Sequence, residues 1–121
     1  MKRILIIDDT SRDQEIATKI LSSSGYQIVG IASDGEGGLV EYRRLNPDLT
    51  LIDVIMPGLN GIETLREIRT INPLAKVILC TSVGQSTVID LAMRVGANGY
   101  VVKPYDADIL TTSVKRVLEV T

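Results

Sequence analysis

The sequence predicts a doubly wound α/β domain, a (βα)₅ chain whose five parallel strands lie in the order 2-1-3-4-5. Three observations carry this. Five short runs rich in Ile, Val and Leu recur along the chain, continuous rather than alternating, as in strands covered on both faces. Longer stretches of helical spacing separate them, punctuated by Gly and Pro. The whole is 121 residues, the size of one domain. Strand and helix in alternation imply a parallel sheet with right-handed crossovers.

The elements follow in order. Arg3–Asp8 reads as the first strand, and Ile16, Lys19-Ile20 and Ser23 mark a helix that ends at Gly25, a natural C′ glycine. Gln27–Ala32 is the second strand. Gly35–Leu45 is the second helix, weakened by three glycines and stopped by Pro47. Asp48–Asp53 is the third strand, and Gly61–Ile71 places Ile62, Leu65 and Ile68 on one helical face before Pro73. Lys76–Thr81 is the fourth strand, followed by a helix lined by Val88, Leu91, Ala92 and Val95 and closed by Gly96. Gly99–Val102 is the last strand, and Leu110, Val114, Val117 and Leu118 line the last helix. No linker, low-complexity segment or repeat interrupts the pattern. A single domain over 1–121 is expected, with no output domain after the fifth helix.

Composition excludes several functions. Lys and Arg total 13 against 15 Asp and Glu, giving a net charge of −2 with no basic stripe, and the four aromatics are all Tyr. Nucleic-acid contact is therefore not expected. No run approaches the ~18 apolar residues of a membrane span, and Ile4-Leu5-Ile6-Ile7 is too short for a signal-peptide core. A soluble, cytoplasmic protein is expected. The single cysteine, Cys80, sits in an apolar run and reads as a small buried hydrophobe. Histidine is absent, which removes the commonest general base and transition-metal ligand. Any chemistry must use carboxylates, hydroxyls, lysines and a hard metal.

In sheets of this order ligands sit at the carboxyl ends of the strands, at the switch point between strands 1 and 3. The acids fall there: Asp8-Asp9 close strand 1 and Asp53 closes strand 3. Three neighbouring carboxylates repel one another unless a cation sits among them. An all-oxygen donor set suits Mg²⁺ or Mn²⁺, and Mg²⁺ leaves room for water and a phosphate oxygen. A lone Asp in this position would more often cap the next helix; the trio argues for metal. Thr81 and Ser82 end strand 4 and Lys103-Pro104 follow strand 5 at the same edge. Lys103 adds a fixed cation, and Pro104 argues for a shaped loop.

Asp8-Asp9, Asp53 with Met56-Pro57, Gly61, Thr81, Tyr100 and Lys103-Pro104 together resemble the receiver domain of two-component response regulators, a flavodoxin-like fold. Cys80-Thr81-Ser82-Val83-Gly84-Gln85 and Gly96-Ala97-Asn98 are most similar to the chemotaxis, CheY-like type, whose sheet has this same order. The resemblance implies that Asp53 takes a phosphoryl group from the phosphohistidine of a sensor histidine kinase. It implies Mg²⁺ bound by Asp9 and Asp53 directly, by Asp8 through water and by the backbone carbonyl of Ile55. Lys103 would contact the phosphoryl group. Thr81 and Tyr100 would form a switch altering the face of helix 4, strand 5 and helix 5, read by an effector or a histidine phosphotransferase. The domain would be no enzyme beyond slow self-dephosphorylation, because Ile55 and Val83 are apolar where a water needs orienting. Thr10-Ser11-Arg12-Asp13-Gln14 departs from the type, being polar where apolar residues are expected.

Two other functions fit less well. A flavodoxin-like cofactor binder needs a phosphate-cradling loop after strand 1, where this chain places two acids, and a Trp to stack on flavin is missing. A magnesium phosphohydrolase shares the aspartyl-phosphate chemistry. It wants a D-x-D nucleophile on strand 1 and a lid, whereas the chain reads Ile7-Asp8-Asp9-Thr10.

Overall fold

A computed structural model describes residues 1–82 and 86–119. Its elements are β1 (Arg3–Ile7), α1 (Ser11–Ser23), β2 (Gln27–Ala32), α2 (Gly35–Leu45), β3 (Leu49–Asp53), α3 (Gly61–Ile71), β4 (Val77–Thr81), α4 (Ser86–Val95), β5 (Gly99–Val102) and α5 (Ala107–Glu119). The five strands form one parallel sheet in the order β2-β1-β3-β4-β5, as predicted.

The period-2 alternation of the strands builds a core on each face of the sheet. Leu5, Ile7, Ile52, Val77 and Leu79 point to one side and pack with Leu65 and Ile68 of α3 and Ala92 of α4. Ile4, Ile6, Leu49, Leu51, Ile78 and Cys80 point to the other, against Ala17 and Leu21 of α1 and Leu110, Val114 and Val117 of α5. Burial on both faces holds for β1, β3 and β4 and fails for the edges. In β2 only Ala32 is buried, and β5 alternates buried with exposed, because each edge strand has a neighbour on one side only.

Two helical faces also differ from expectation. The buried stripe of α1 is Asp13, Ala17 and Leu21, while Ile16 faces solvent and Ile20 is only half-buried. In α4 only Ala92 is fully buried and Leu91 is exposed. The glycines of α2 are explained by close approach. A Cβ on Gly38 would meet Ile7 Cγ1 at 2.9 Å, and one on Gly35 would meet the Leu59 carbonyl at 2.6 Å. Packing of the helix onto β1 and the loop before α3 outweighs their poor propensity. The helix ends at Asn46, in the left-handed conformation, one residue before Pro47.

Away from the site, Arg69 of α3 ties the amino edge of the sheet together. Its guanidinium donates to the carbonyls of Ala75 and Gly96 and, at 2.8 Å, to Asn98 Oδ1, which also accepts from the Val77 amide.

Candidate functional site

Backbone bonds continue the strand pairing past the strand ends at the carboxyl edge. Asp8 N donates to Ala32 O, Val54 N to Cys80 O, and Lys103 N to Thr81 O at 2.7 Å. This register lays Asp8, Asp53, Thr81 and Lys103 side by side, although 95 positions separate the first from the last.

The acids meet as the spacing suggested. Carboxylate oxygens of Asp8, Asp9 and Asp53 lie within 4.8 Å of one another, with Asp8 and Asp53 buried and Asp9 exposed. Asp8 is oriented on both sides: Oδ1 accepts from the Thr10 amide at 2.9 Å, and the backbone carbonyl accepts from Gln14 Nε2. Above Asp53 the chain folds back, with Gly61 N donating to Val54 O at 2.9 Å. A Cβ on Gly61 would stand 2.7 Å from Val54 Cα, so only glycine lets α3 start this close to the acceptor strand. Asn60 and Glu63 close a capping box on that first turn.

Lys103 is the cation of the site, with a side chain only 7% exposed. Its Nζ lies 2.7 Å from Asp8 Oδ2, 2.9 Å from Asp13 Oδ2 and 3.5 Å from Asp53 Oδ2. Burial works to lower its pKa, but the bonds to Asp8 and Asp13 and the charge of Asp53 outweigh it and raise it. Asp53 is pushed up to about 6, chiefly by burial and also by Asp8 and Asp9, against the opposing charge of Lys103 and the Ile55 backbone. One lysine does not offset this many carboxylates. A divalent cation would, and the all-oxygen set matches the preference of Mg²⁺. The residues present therefore fit that ion.

Thr81 is buried, 2% exposed, at the end of β4. Tyr100 pairs in register with Leu79 and is 41% exposed, so its ring points outward in this structure. Ile55 is 61% exposed beside Asp53. Val83 lies outside the described residues. The Lys103-Pro104 peptide is cis.

Sequence reasoning missed two side chains. Asp13 was read only as one of a polar stretch, yet it is 9% exposed and pairs with Lys103. Tyr105 places its ring centroid 5.8 Å from Lys103 Nζ. Burial raises the pKa of both Tyr105 and Cys80, that of Cys80 to about 12, so the buried thiol behaves as the inert hydrophobe expected.

Comparison with known proteins gives a consistent result. The family model described as the response regulator receiver domain matches residues 4–115. The chemotaxis protein CheY of Thermotoga maritima is 34% identical, over 96% of this chain and 97% of its own. The protein CcdB of Bacillus subtilis is 39% identical over 98% of each. The CheY of Borrelia burgdorferi, solved in complex with CheX, BeF₃ and Mg²⁺, superposes with a TM-score of 0.92 at 30% identity, over 96% of this chain and 88% of that one.

Proposed function

The chain belongs to the response regulator receiver domain family, and from that premise we propose that it is a phosphorylation-controlled switch whose acceptor is Asp53. Receiver domains are signalling domains of two-component systems, and Mg²⁺-dependent phosphorylation is their general property. The observation that carries the assignment is the placement of Asp53: 7% exposed at the end of β3, within reach of Asp8, Asp9 and Lys103.

In the metal-free fold burial raises the Asp53 carboxyl to about 6, which still leaves it mostly ionised at neutral pH. It attacks phosphorus directly, without a general base. An O–P bond forms, the P–N bond of the donor phosphohistidine breaks, and the imidazole leaves with the electron pair. Asp9 and Asp53 would hold Mg²⁺ directly, Asp8 through water, and Ile55 through its carbonyl. When bound, the ion neutralises charge on the transferring group. Lys103 supplies a charge-assisted bond to a phosphoryl oxygen, and the Thr81 hydroxyl donates to another. Tyr100 then turns inward, which changes the face of α4, β5 and α5. Leu91, Met93, Tyr100, Val102 and Ile109 are exposed there, a composition suited to a regulated contact.

The 121 residues form a single receiver domain in this reading. A sensor histidine kinase phosphorylates it, and an effector or histidine phosphotransferase reads it. It acts in the cytoplasm, in keeping with an unpaired, buried Cys80. Among the described residues no helix is long and apolar enough to cross a membrane. Incubation with acetyl phosphate and Mg²⁺, followed by peptide mass spectrometry, tests the assignment. Label on Asp53, lost in Asp53→Asn, is expected; wild-type labelling of the Asn variant overturns it.

A further inference from the structure

The two carboxylates closest to Lys103 are not the acceptor. Its ammonium bonds to Asp8 and Asp13 at 2.7 and 2.9 Å, while Asp53 stands back at 3.5 Å. We propose that Asp13 is a positioning residue that holds Lys103 off Asp53 at rest, so that a phosphoryl group on Asp53 must win the lysine away from α1. The inference rests on the reading of Asp53 as acceptor and Lys103 as its phosphoryl contact.

Three features of Asp13 make it an effective competitor. It is the third residue of α1, in the first turn, where the helix dipole favours a negative charge and the backbone fixes its direction. Its side chain is 12% exposed, so little water replaces the lysine when the pair opens. Its other charged partner among the described residues is Arg12, at 3.7 Å, whose own side chain is 79% exposed. Such a pair is screened and contributes little. Release of Lys103 therefore leaves the Asp13 charge with only the α1 dipole and the screened Arg12 for compensation.

The competition has a reciprocal form. If pairing with Asp13 weakens engagement of Lys103 by a phosphoryl oxygen, engagement must weaken the hold on α1 by the same factor. The first turn of α1 thus registers occupancy of the site, independently of Thr81 and Tyr100.

Beryllofluoride with Mg²⁺, a mimic of the bound phosphoryl group, provides the test by titration under amide NMR. Asp13→Asn keeps the shape and removes the charge, and should bind at least about fivefold tighter than wild type, the lower end of typical coupling between sites. Asp13→Glu restores the charge and should return the affinity toward wild type. A second readout needs no variant. The scalar coupling through the hydrogen bond from Lys103 Nζ to the Asp13 carboxyl carbon should be present in the free wild-type protein and vanish at beryllofluoride saturation. Unchanged or weaker binding by Asp13→Asn overturns the proposal. So does Asp13→Glu binding as tightly as Asp13→Asn, or a coupling that survives saturation. If the wild type itself does not bind beryllofluoride, or Asp53→Asn binds it equally, the acceptor assignment falls first.

Discussion

Removing the charge of Asp53 should stabilise the metal-free protein, and only above a defined pH. The fold raises this carboxyl from the ordinary 3.8 to about 6, chiefly through burial and secondarily through Asp8 and Asp9. The folded state therefore keeps its proton to higher pH than the unfolded chain does. Stability is lost as pH rises through the window from about 4 to 6, and the full penalty is present above it. At 1.36 kcal/mol per pH unit the rise is worth at most about 3 kcal/mol. The mouth of the site opens to water at the exposed Asp9, which reduces the expectation to about 1–2 kcal/mol. Lys103 does not offset the gain when Asp53 becomes neutral, because Asp8 and Asp13 keep it paired. For a domain of this size the result is a melting temperature higher by roughly 4–8 °C in Asp53→Asn at pH 7, shrinking toward zero near pH 4. Differential scanning calorimetry in EDTA at the two pH values measures both. Saturating Mg²⁺ at pH 7 should raise the melting point of the wild type more than that of the variant. An Asn variant no more stable than wild type at pH 7, or equally stabilised at pH 4, would refute the electrostatic account.

Gly61→Ala forces a methyl group against Val54 Cα and should cost about 1–3 kcal/mol in urea unfolding, because backbone rather than a flexible side chain must give way. Thr81→Ala should leave labelling of Asp53 intact while abolishing the beryllofluoride-induced amide shifts at Tyr100 and α4; full shifts in the variant would take Thr81 out of the switch. Combining Ile55→Asn with Val83→Glu gives an attacking water polar partners and should speed dephosphorylation roughly tenfold or more in a phosphate-release assay, within the usual reach of a positioned polar group.

The topology and the acidic trio were legible because each is written locally. Continuous Ile/Val/Leu runs end in Asp at β1 and β3, and a parallel sheet leaves one edge where those ends can meet. The face of α1 was not legible. Apolar counting favours Ile16 and Ile20, whereas the helix buries Ala17, Leu21 and an aspartate. Burial of Asp13 is made possible by Lys103, 90 positions away, and no window along α1 contains that partner. Leu91 misled for the opposite reason: its residue type signals core, but α4 presents that side chain to solvent. The glycines of α2 read as weakness until Ile7 and Leu59 showed what they make room for.

The grip of Arg69 on the carbonyl of Gly96 anchors the trailing end of α4, just past Val95. A rod held at its tail moves as a lever. Ten residues at 1.5 Å each make an arm of about 15 Å. If the proposed switch pulled the leading end at Ser86 by a few ångströms, the helix would sweep through an arc of roughly 15–20°, with little movement at Val95 near the pivot. Displacement would grow with distance from the clasp, so Val88 and Leu91 would travel further than Arg94. Cutting the clasp with Arg69→Ala would turn the sweep into a drift of the whole rod and blunt the message, even though the guanidinium touches nothing at the carboxyl edge of the sheet.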